Sequence, residues 1–106
     1  MAGLAHIPWY ATLFRGDGFE AALREIAPVA LRYGATDFEL MRSGDDRYRF
    51  LQFAYFENKS DFEAYWYGSE FNEWRADYTS WYQVPVVYGW FDRVSAGAIE
   101  NNHATP

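Results

Sequence analysis

The side chains best suited to chemistry in this chain are those of tryptophan and tyrosine, and most of them lie between positions 60 and 90. That stretch contains four of the five tryptophans and five of the nine tyrosines. Flat aromatic side chains hold apolar ligands by stacking, while phenol hydroxyls and indole N–H groups orient them. The pattern predicts a pocket for an apolar or aromatic small molecule, with Trp66 as its strongest candidate. The predicted ligand-binding residues are Tyr10, Gln52, Tyr65, Trp66, Trp74, Tyr78, Tyr88 and Trp90.

The same residues have a plainer interpretation, in which the aromatic side chains form the core and an interface between subunits. Tyr10 and Gln52 are included because each lies on a predicted strand, and a buried glutamine must be hydrogen-bonded. In the plainer interpretation the partner of Gln52 is the backbone or a residue across a dimer. The sequence leaves both interpretations open.

Acid–base and metal chemistry have little support in the sequence. His6 is the only histidine before His103, and it is a weak candidate for a catalytic base because a histidine at a strand end is usually solvated. The two histidines and the scattered carboxylates show no metal-ligand spacing, and the chain has no cysteine. We therefore expect neither a metal nor a cofactor.

Length and composition bound the class of protein. A chain of 106 residues that is 50% hydrophobic and 22% aromatic can form one folded domain. We predict this domain for residues 1–94 and a flexible tail for 95–106. The net charge of −6 argues against nucleic acid or an anionic membrane as partner. The absence of cysteine fits a cytoplasmic location, and we expect no signal peptide and no membrane span.

Apolar patterning in the first half of the chain predicts a helix between strands. The predicted strands cover 6–14, 36–42 and 47–56. The helix begins at Asp17, which forms a capping pair with Glu20, is kinked at Pro28 and ends at Gly34.

The second half predicts a broken helix and a last strand. Ser60 opens a capping box, so the helix should begin there. Phe62 and Phe71 are nine residues apart and would point in opposite directions on a straight helix. We therefore predict a break at Gly68, with Ser69 capping a second piece whose helical spacing runs on towards Tyr82, followed by a strand over 84–91.

The order βαββαβ predicts an α+β, ferredoxin-like fold, in which a four-stranded antiparallel sheet carries its helices on one face. The first and third strands are apolar on both sides and should be central, whereas the second alternates and suits an edge. Two helices cover only one face of such a sheet. We therefore predict a homodimer through the other face.

The chain resembles the dimeric α+β barrel superfamily, which includes the antibiotic-biosynthesis-monooxygenase-like proteins. The resemblance extends over residues 6–94 and is strongest in the run from Phe62 to Phe71, with further similarity in 82–85 and 90–94. It implies a barrel of two packed sheets and a small-molecule pocket between sheet and helices. The haem-degrading branch carries an axial histidine near the position of Trp74, and the lack of a histidine between His6 and His103 argues against that branch.

Three functions follow as hypotheses. The resemblance implies a cofactor-independent monooxygenase, in which an electron-rich substrate reacts with oxygen once it is deprotonated. A second hypothesis is a non-catalytic protein that binds an apolar metabolite in the same pocket. The third is a purely structural dimer whose aromatic residues are all packed.

Overall fold

A computed structural model describes residues 2–99 and contains the predicted sheet. The elements, in order, are β1 (Gly3–Tyr10), α1 (Gly16–Ile26), a 3-10 helix (Ala27–Tyr33), β2 (Ala35–Arg42), β3 (Arg49–Phe56), α2 (Lys59–Tyr67), α3 (Ser69–Asp77) and β4 (Gly89–Asp92). The strands pair antiparallel in the order β2-β3-β1-β4. The ferredoxin-like fold is therefore confirmed, with the first and third strands at the centre and the second at an edge. The predicted tail lies partly outside the described residues, and 95–99 form no helix or strand.

The first helix changes type where the proline was expected to disturb it. The α-helix ends at Ile26, and a 3-10 helix with Pro28 in its first turn continues the chain. Proline has no N–H to donate and crowds the preceding turn, which explains the change. Gly34 ends the element with φ of +103°, and its N–H donates to the Ala30 carbonyl, as a left-handed C-terminal glycine does.

The predicted caps of both helices are wrong. The first helix begins at Gly16 without a side-chain cap, because Asp17 and Glu20 instead bind Arg42 at 2.9 and 3.0 Å. The second begins at Lys59, one residue before the predicted Ser60, and has no side-chain cap bond either.

The break at Gly68 is confirmed, and its cause is steric. Gly68 has an extended backbone (φ −70°, ψ 161°) and is the N-cap of α3, so Ser69 is the first helical residue and not the cap. A Cβ atom at Gly68 would lie 2.6 Å from the Ala64 carbonyl oxygen, and glycine alone avoids that contact. The second piece ends at Asp77, short of Tyr82, which bridges to Ala11 instead.

All four strands differ from their predicted bounds, β2 and β3 by only one or two residues at their start and β1 and β4 by more. β1 begins earlier and ends at Tyr10, because the chain turns through Phe14, which has φ of +69°. β4 is shorter than predicted and begins only at Gly89, because the preceding segment contains Pro85 and runs without regular pairing.

The sheet has two different faces. The inner face, towards the helices, is buried, and its residues include Ala5, Ile7, Trp9, Phe50, Gln52, Ala54 and Phe56. The outer face is half-buried along the central strands, where it carries Leu4, His6, Pro8, Leu51, Phe53 and Tyr55. Within residues 2–99, no helix is long and apolar enough to cross a membrane.

Candidate functional site

Aromatic side chains fill the space between the inner face of the sheet and the helices. We call this group the aromatic cluster; its buried members are Trp9, Phe19, Phe62, Tyr65, Trp66, Phe71, Trp74 and Tyr82. The rings meet edge to face, tilted or stacked, with centroids 4.7 to 6.5 Å apart, for example 5.4 Å between Trp9 and Trp74 and 4.9 Å between Trp66 and Phe71. These are the preferred geometries of aromatic packing. Trp66 and Phe71 come together because the helix breaks between them at Gly68.

A hydrogen-bonded chain of side chains crosses the aromatic cluster. The Trp9 indole N–H donates to Gln52 Oε1 at 3.0 Å, and Gln52 Nε2 donates to the Tyr65 hydroxyl at 3.0 Å. The Tyr65 hydroxyl donates to the Ile26 carbonyl at 2.6 Å. The buried glutamine is thereby satisfied within the subunit. Burial raises the pKa of Tyr65 above the usual tyrosine value of 10.0, so this phenol is held neutral.

The tryptophans of this region differ in what their N–H groups do. Trp9 donates to Gln52, Trp74 donates to the Ala22 carbonyl at 3.0 Å, and Trp90 donates to Asp92 at 3.0 Å. Within the described residues, the indole N–H groups of Trp66 and Trp81 donate to no acceptor, but Trp81 is only half-buried, whereas the side chain of Trp66 is 7% exposed. Its nitrogen is not sealed from the surface. Trp66 therefore offers a free hydrogen-bond donor next to a wall of aromatic rings.

The rim of the aromatic cluster comes from the irregular segment before β4. Tyr88 lies edge-on to Trp66 with centroids 5.5 Å apart and to Phe62 at 4.8 Å. Its hydroxyl lies 3.4 Å from that of Tyr67, a hydrogen bond that raises the pKa of Tyr88. The last paired strand begins only at Gly89, so the backbone of the segment before it has no regular pairing. The rim is therefore held mainly by these side-chain contacts.

Trp90 and Tyr78 lie at two edges of the aromatic cluster. Trp90 stacks on Phe62 with centroids 6.3 Å apart. Tyr78 packs against Trp74 at 5.2 Å, and its hydroxyl donates to Glu25. The structure thus brings six of the predicted site residues into or around one cluster, namely Gln52, Tyr65, Trp66, Trp74, Tyr88 and Trp90, with Tyr78 at its margin.

Tyr10 and His6 are not part of this group, since both project from the outer face of the sheet. His6 stacks on Phe53 with centroids 5.3 Å apart. Tyr10 is 39% exposed, and its hydroxyl donates to Asp46 at 2.5 Å, which raises the pKa of Tyr10 and lowers that of Asp46. The role of His6 as a base stays an untested prediction, and the sheet separates it from the aromatic cluster.

Arg75 is a site residue that sequence reasoning missed. Its guanidinium carbon lies 3.9 Å from the centre of the Trp66 ring and 4.7 Å from that of Phe71. Nη2 donates to the Trp66 carbonyl at 2.8 Å and to Asn72. Nη1 is enclosed and, within residues 2–99, has no hydrogen-bond partner. Burial lowers the pKa of Arg75, because removal from water disfavours the charged form.

The aromatic cluster is closely packed, and open depressions lie mainly outside it. Depressions with volumes between about 160 and 450 Å³ lie along α1, β2 and β3, and one beside β1 is lined by Tyr10 and by Trp9, a member of the cluster. Among residues 2–99 there is no group of three histidine or acidic residues arranged to hold a metal.

No protein-family model and no curated protein matches the chain. Solved structures do. A protein from Nitrosomonas europaea whose name places it among the antibiotic biosynthesis monooxygenases superposes with a TM-score of 0.78 at 17% identity, covering 88% of this chain and 90% of its own. SnoaB, a cofactor-independent oxygenase from Streptomyces nogalater, gives 0.77 at 14% identity, with 90% and 95% covered. A similarly named monooxygenase from Deinococcus radiodurans gives 0.78 at 12%, with 95% and 100% covered.

The chain has the fold of the antibiotic-biosynthesis-monooxygenase-like proteins. The resemblance noted in the sequence is thus confirmed at the level of fold. In each comparison the similarity extends over nearly the whole length of both chains. Function must then be argued from the site, because one fold supports many activities.

Proposed function

We propose that this protein is a homodimeric, cofactor-independent monooxygenase that binds a planar aromatic substrate against Trp66. The observation that carries the proposal is the free indole N–H of Trp66, since the neighbouring Trp9, Trp74 and Trp90 all donate to acceptors in the protein. A donor in a wall of aromatic rings suits a flat ligand with an oxygen at its edge. The fold shared with a cofactor-independent oxygenase supports the same reading.

The proposed reaction needs little from the protein beyond a dry, oriented site. The substrate has an acidic methylene group flanked by aromatic rings. Loss of a proton from this group gives a carbanion, which transfers electrons to molecular oxygen. One oxygen atom then becomes the new carbonyl, and the other leaves as water with the two methylene hydrogens. Trp66 would bind the substrate oxygen through its N–H, while the ring of Phe71 helps to exclude water. Tyr65 is neutral and can only act as a hydrogen-bonding group.

Access to the aromatic cluster runs past Tyr88 in this proposal. This residue covers Trp66 and is fixed by packing and by its contact with Tyr67, which is 61% exposed. The segment 84–88 has no regular backbone pairing, so its displacement breaks few hydrogen bonds. A ligand can then replace the ring of Tyr88 against Trp66.

A second copy of the chain is proposed to cover the outer face of the sheet. Leu51 and Phe53 on a central strand are half-buried there, and Met41 and Phe91 on the flanking strands are 48% and 55% exposed. Such a contiguous apolar face on a four-stranded sheet favours sheet-to-sheet packing. The partner would cover His6 as well, which leaves the helix side of each subunit free for its substrate.

The test is oxygen uptake with 1,8-dihydroxyanthrone as substrate. We expect the protein to consume one oxygen molecule per anthrone converted to the quinone, well above the rate in buffer. Trp66→Phe keeps a ring and removes the N–H, so it should lower the rate about tenfold or more, as loss of a hydrogen bond in a desolvated site does. Trp81→Phe changes a tryptophan outside the buried cluster and should leave the rate unchanged. Uptake equal to that in buffer would refute the enzymatic proposal.

The close packing of the aromatic cluster favours the main competitor, a dimer whose aromatic residues are structural. Native mass spectrometry of the protein from its own host separates the two. A dimer with an added small-molecule mass supports a ligand site, and an added mass without oxygen uptake supports a non-catalytic binding protein. A bare dimer that binds no aromatic probe supports the structural alternative.

A further inference from the structure

We propose that Arg75 recognises an anionic oxygen carried by the aromatic ligand. This inference rests on the proposed function, because it concerns the ligand of the same site, and it narrows the substrate class to planar aromatic oxyanions. Arg75 is half-buried on α3 and stacks on Trp66, the residue assigned to ligand binding. A cation and a free N–H donor are thus presented side by side.

The first step of the argument is the missing counter-charge. Within residues 2–99, the ion pairs involve Arg24, Arg32 and Arg42, and none involves Arg75. Glu70, on the same helix, is paired with Arg32 at 2.7 Å and is therefore engaged. A buried or half-buried charge is costly unless an opposite charge or several hydrogen bonds offset its desolvation.

The second step is the unsatisfied donor. Nη2 of Arg75 is used twice, by the Trp66 carbonyl and by Asn72, whereas Nη1 is enclosed without an acceptor. Leaving a buried donor unsatisfied destabilises a fold, so it is unusual for a group with a structural role alone. A rotation about the side-chain bonds of Arg75 would turn Nη1 towards a ligand oxygen.

The third step is the match to an aromatic anion. The guanidinium carbon of Arg75 lies 3.9 Å from the centre of the Trp66 ring, over its face, which is the layer that a ligand stacked on the same indole would occupy. A carboxylate or an enolate oxygen in that position would pair with Nη1 and accept from the Trp66 N–H. The chain carries a net charge of −6, so its overall electrostatic field does not attract anions. The positive charge of Arg75 would provide that attraction locally, at the ligand.

Binding of two matched probes tests the proposal. The probes are anthraquinone-2-carboxylate and its primary amide, which differ in charge and little in shape, and binding is followed by tryptophan fluorescence. We expect the wild-type protein to bind the carboxylate at least about tenfold more tightly than the amide. In Arg75→Gln, which keeps a donor for the Trp66 carbonyl but has no charge, the ratio should fall to about one. Arg15→Gln is the control, because Arg15 also stacks on an indole, that of Trp81 at 4.7 Å, outside the buried cluster.

The outcomes separate this proposal from the proposed function. If both probes bind equally to the wild type, or if the preference survives in Arg75→Gln, Arg75 is structural and the oxygenase proposal stands or falls on oxygen uptake. If neither probe binds, the inference about Arg75 fails, and oxygen uptake alone decides the oxygenase proposal. A loss of thermal stability in Arg75→Gln with an unchanged ratio also identifies a structural role and overturns the inference.

Kinetics with 1,8-dihydroxyanthrone, which has no carboxylate, distinguish the two anions that Arg75 could bind, namely an enolate formed during the reaction and a carboxylate on the natural substrate. If Arg75 pairs with the enolate formed during the reaction, Arg75→Gln lowers kcat about tenfold or more with little change in KM. If it pairs with a carboxylate on the natural substrate, the anthrone kinetics change little while the carboxylate preference is still lost. An unchanged preference together with unchanged kinetics refutes the proposal in both forms.

Discussion

Replacing Tyr65 by phenylalanine tests the hydrogen-bonded chain that crosses the core. The substitution keeps the ring, which is 1% exposed, and removes a hydroxyl that accepts from Gln52 and donates to the Ile26 carbonyl. Two hydrogen bonds are lost, and the Gln52 amide is left with an unsatisfied N–H in a site that water cannot reach. We expect the free energy of unfolding at neutral pH to fall by about 2 kcal/mol.

The same variant should change how stability depends on pH. Burial raises the pKa of Tyr65 above 10.0 in the folded protein, so above pH 10 the folded state keeps a proton that the unfolded state releases. Stability from this group is therefore complete below pH 10 and declines as the pH rises beyond it, by up to about 1.4 kcal/mol per pH unit. Tyr65→Phe has no such proton, so its deficit relative to the wild type should shrink from pH 10 upward.

Urea unfolding followed by tryptophan fluorescence, at equal protein concentration and at several pH values between 7 and 11, measures both effects. Tyr67→Phe is the matched control, because Tyr67 is 61% exposed and its hydroxyl has one weak contact, with Tyr88 at 3.4 Å. That variant should lie within about 0.5 kcal/mol of the wild type at neutral pH. The other tyrosines contribute equally to the wild type and to Tyr65→Phe and cancel in the difference. A deficit below about 0.5 kcal/mol, or one that stays constant to pH 11, would refute the reasoning.

Three further predictions concern the pocket, the dimer and the backbone. Trp66→Ala should leave a folded protein, destabilised by about 3–5 kcal/mol, that no longer binds anthraquinone-2-carboxylate in a fluorescence titration; complete unfolding by circular dichroism would instead make Trp66 a structural core residue. Phe53→Glu places a charge on the outer face and should yield a monomer in analytical ultracentrifugation where the wild type is a dimer; a dimer in both would exclude this face as the interface. Gly34→Ala should lower stability by about 1–2 kcal/mol in urea unfolding, because φ is +103° and a Cβ would lie 3.3 Å from Asp61; an unchanged midpoint would contradict that strain.

Local steric signals made much of the backbone predictable from the sequence. Gly34 and Gly68 each occupy a position that other residues fill only with strain, and Pro28 lacks the N–H that an α-helix needs. Each of these residues determines the conformation of the backbone within a few residues on either side, so its effect can be predicted from the local sequence. The end of β1 was missed because apolar alternation continues past Tyr10, and periodicity does not register the turn through Phe14. The sheet order was predictable because strands apolar on both sides must be central.

The site was harder to predict because its contacts join residues far apart in the chain. Gln52 was recognised as a buried polar residue, but its partner Trp9 is 43 positions away, and nothing in the local pattern selects it. Arg75 was missed for a different reason. An arginine on a short helix predicts a solvated side chain. Arg75 lies one turn after Phe71 on α3, a spacing that could have suggested their contact, whereas the break at Gly68 brings Arg75 over Trp66.

Aromatic composition alone does not separate a core from a ligand site, since both bury flat rings against one another. The use of polar atoms does. A tryptophan with a structural role finds an acceptor for its N–H, as Trp9 and Trp74 do here, because an unused buried donor costs stability. Trp66 and the adjacent Arg75 instead leave an indole N–H and a guanidinium N–H without acceptors within the described residues, and no carboxylate offsets the cation. These two donors on touching side chains, beside a wall of aromatic rings, are the basis of the proposal that a flat molecule with an acceptor oxygen at its edge binds here.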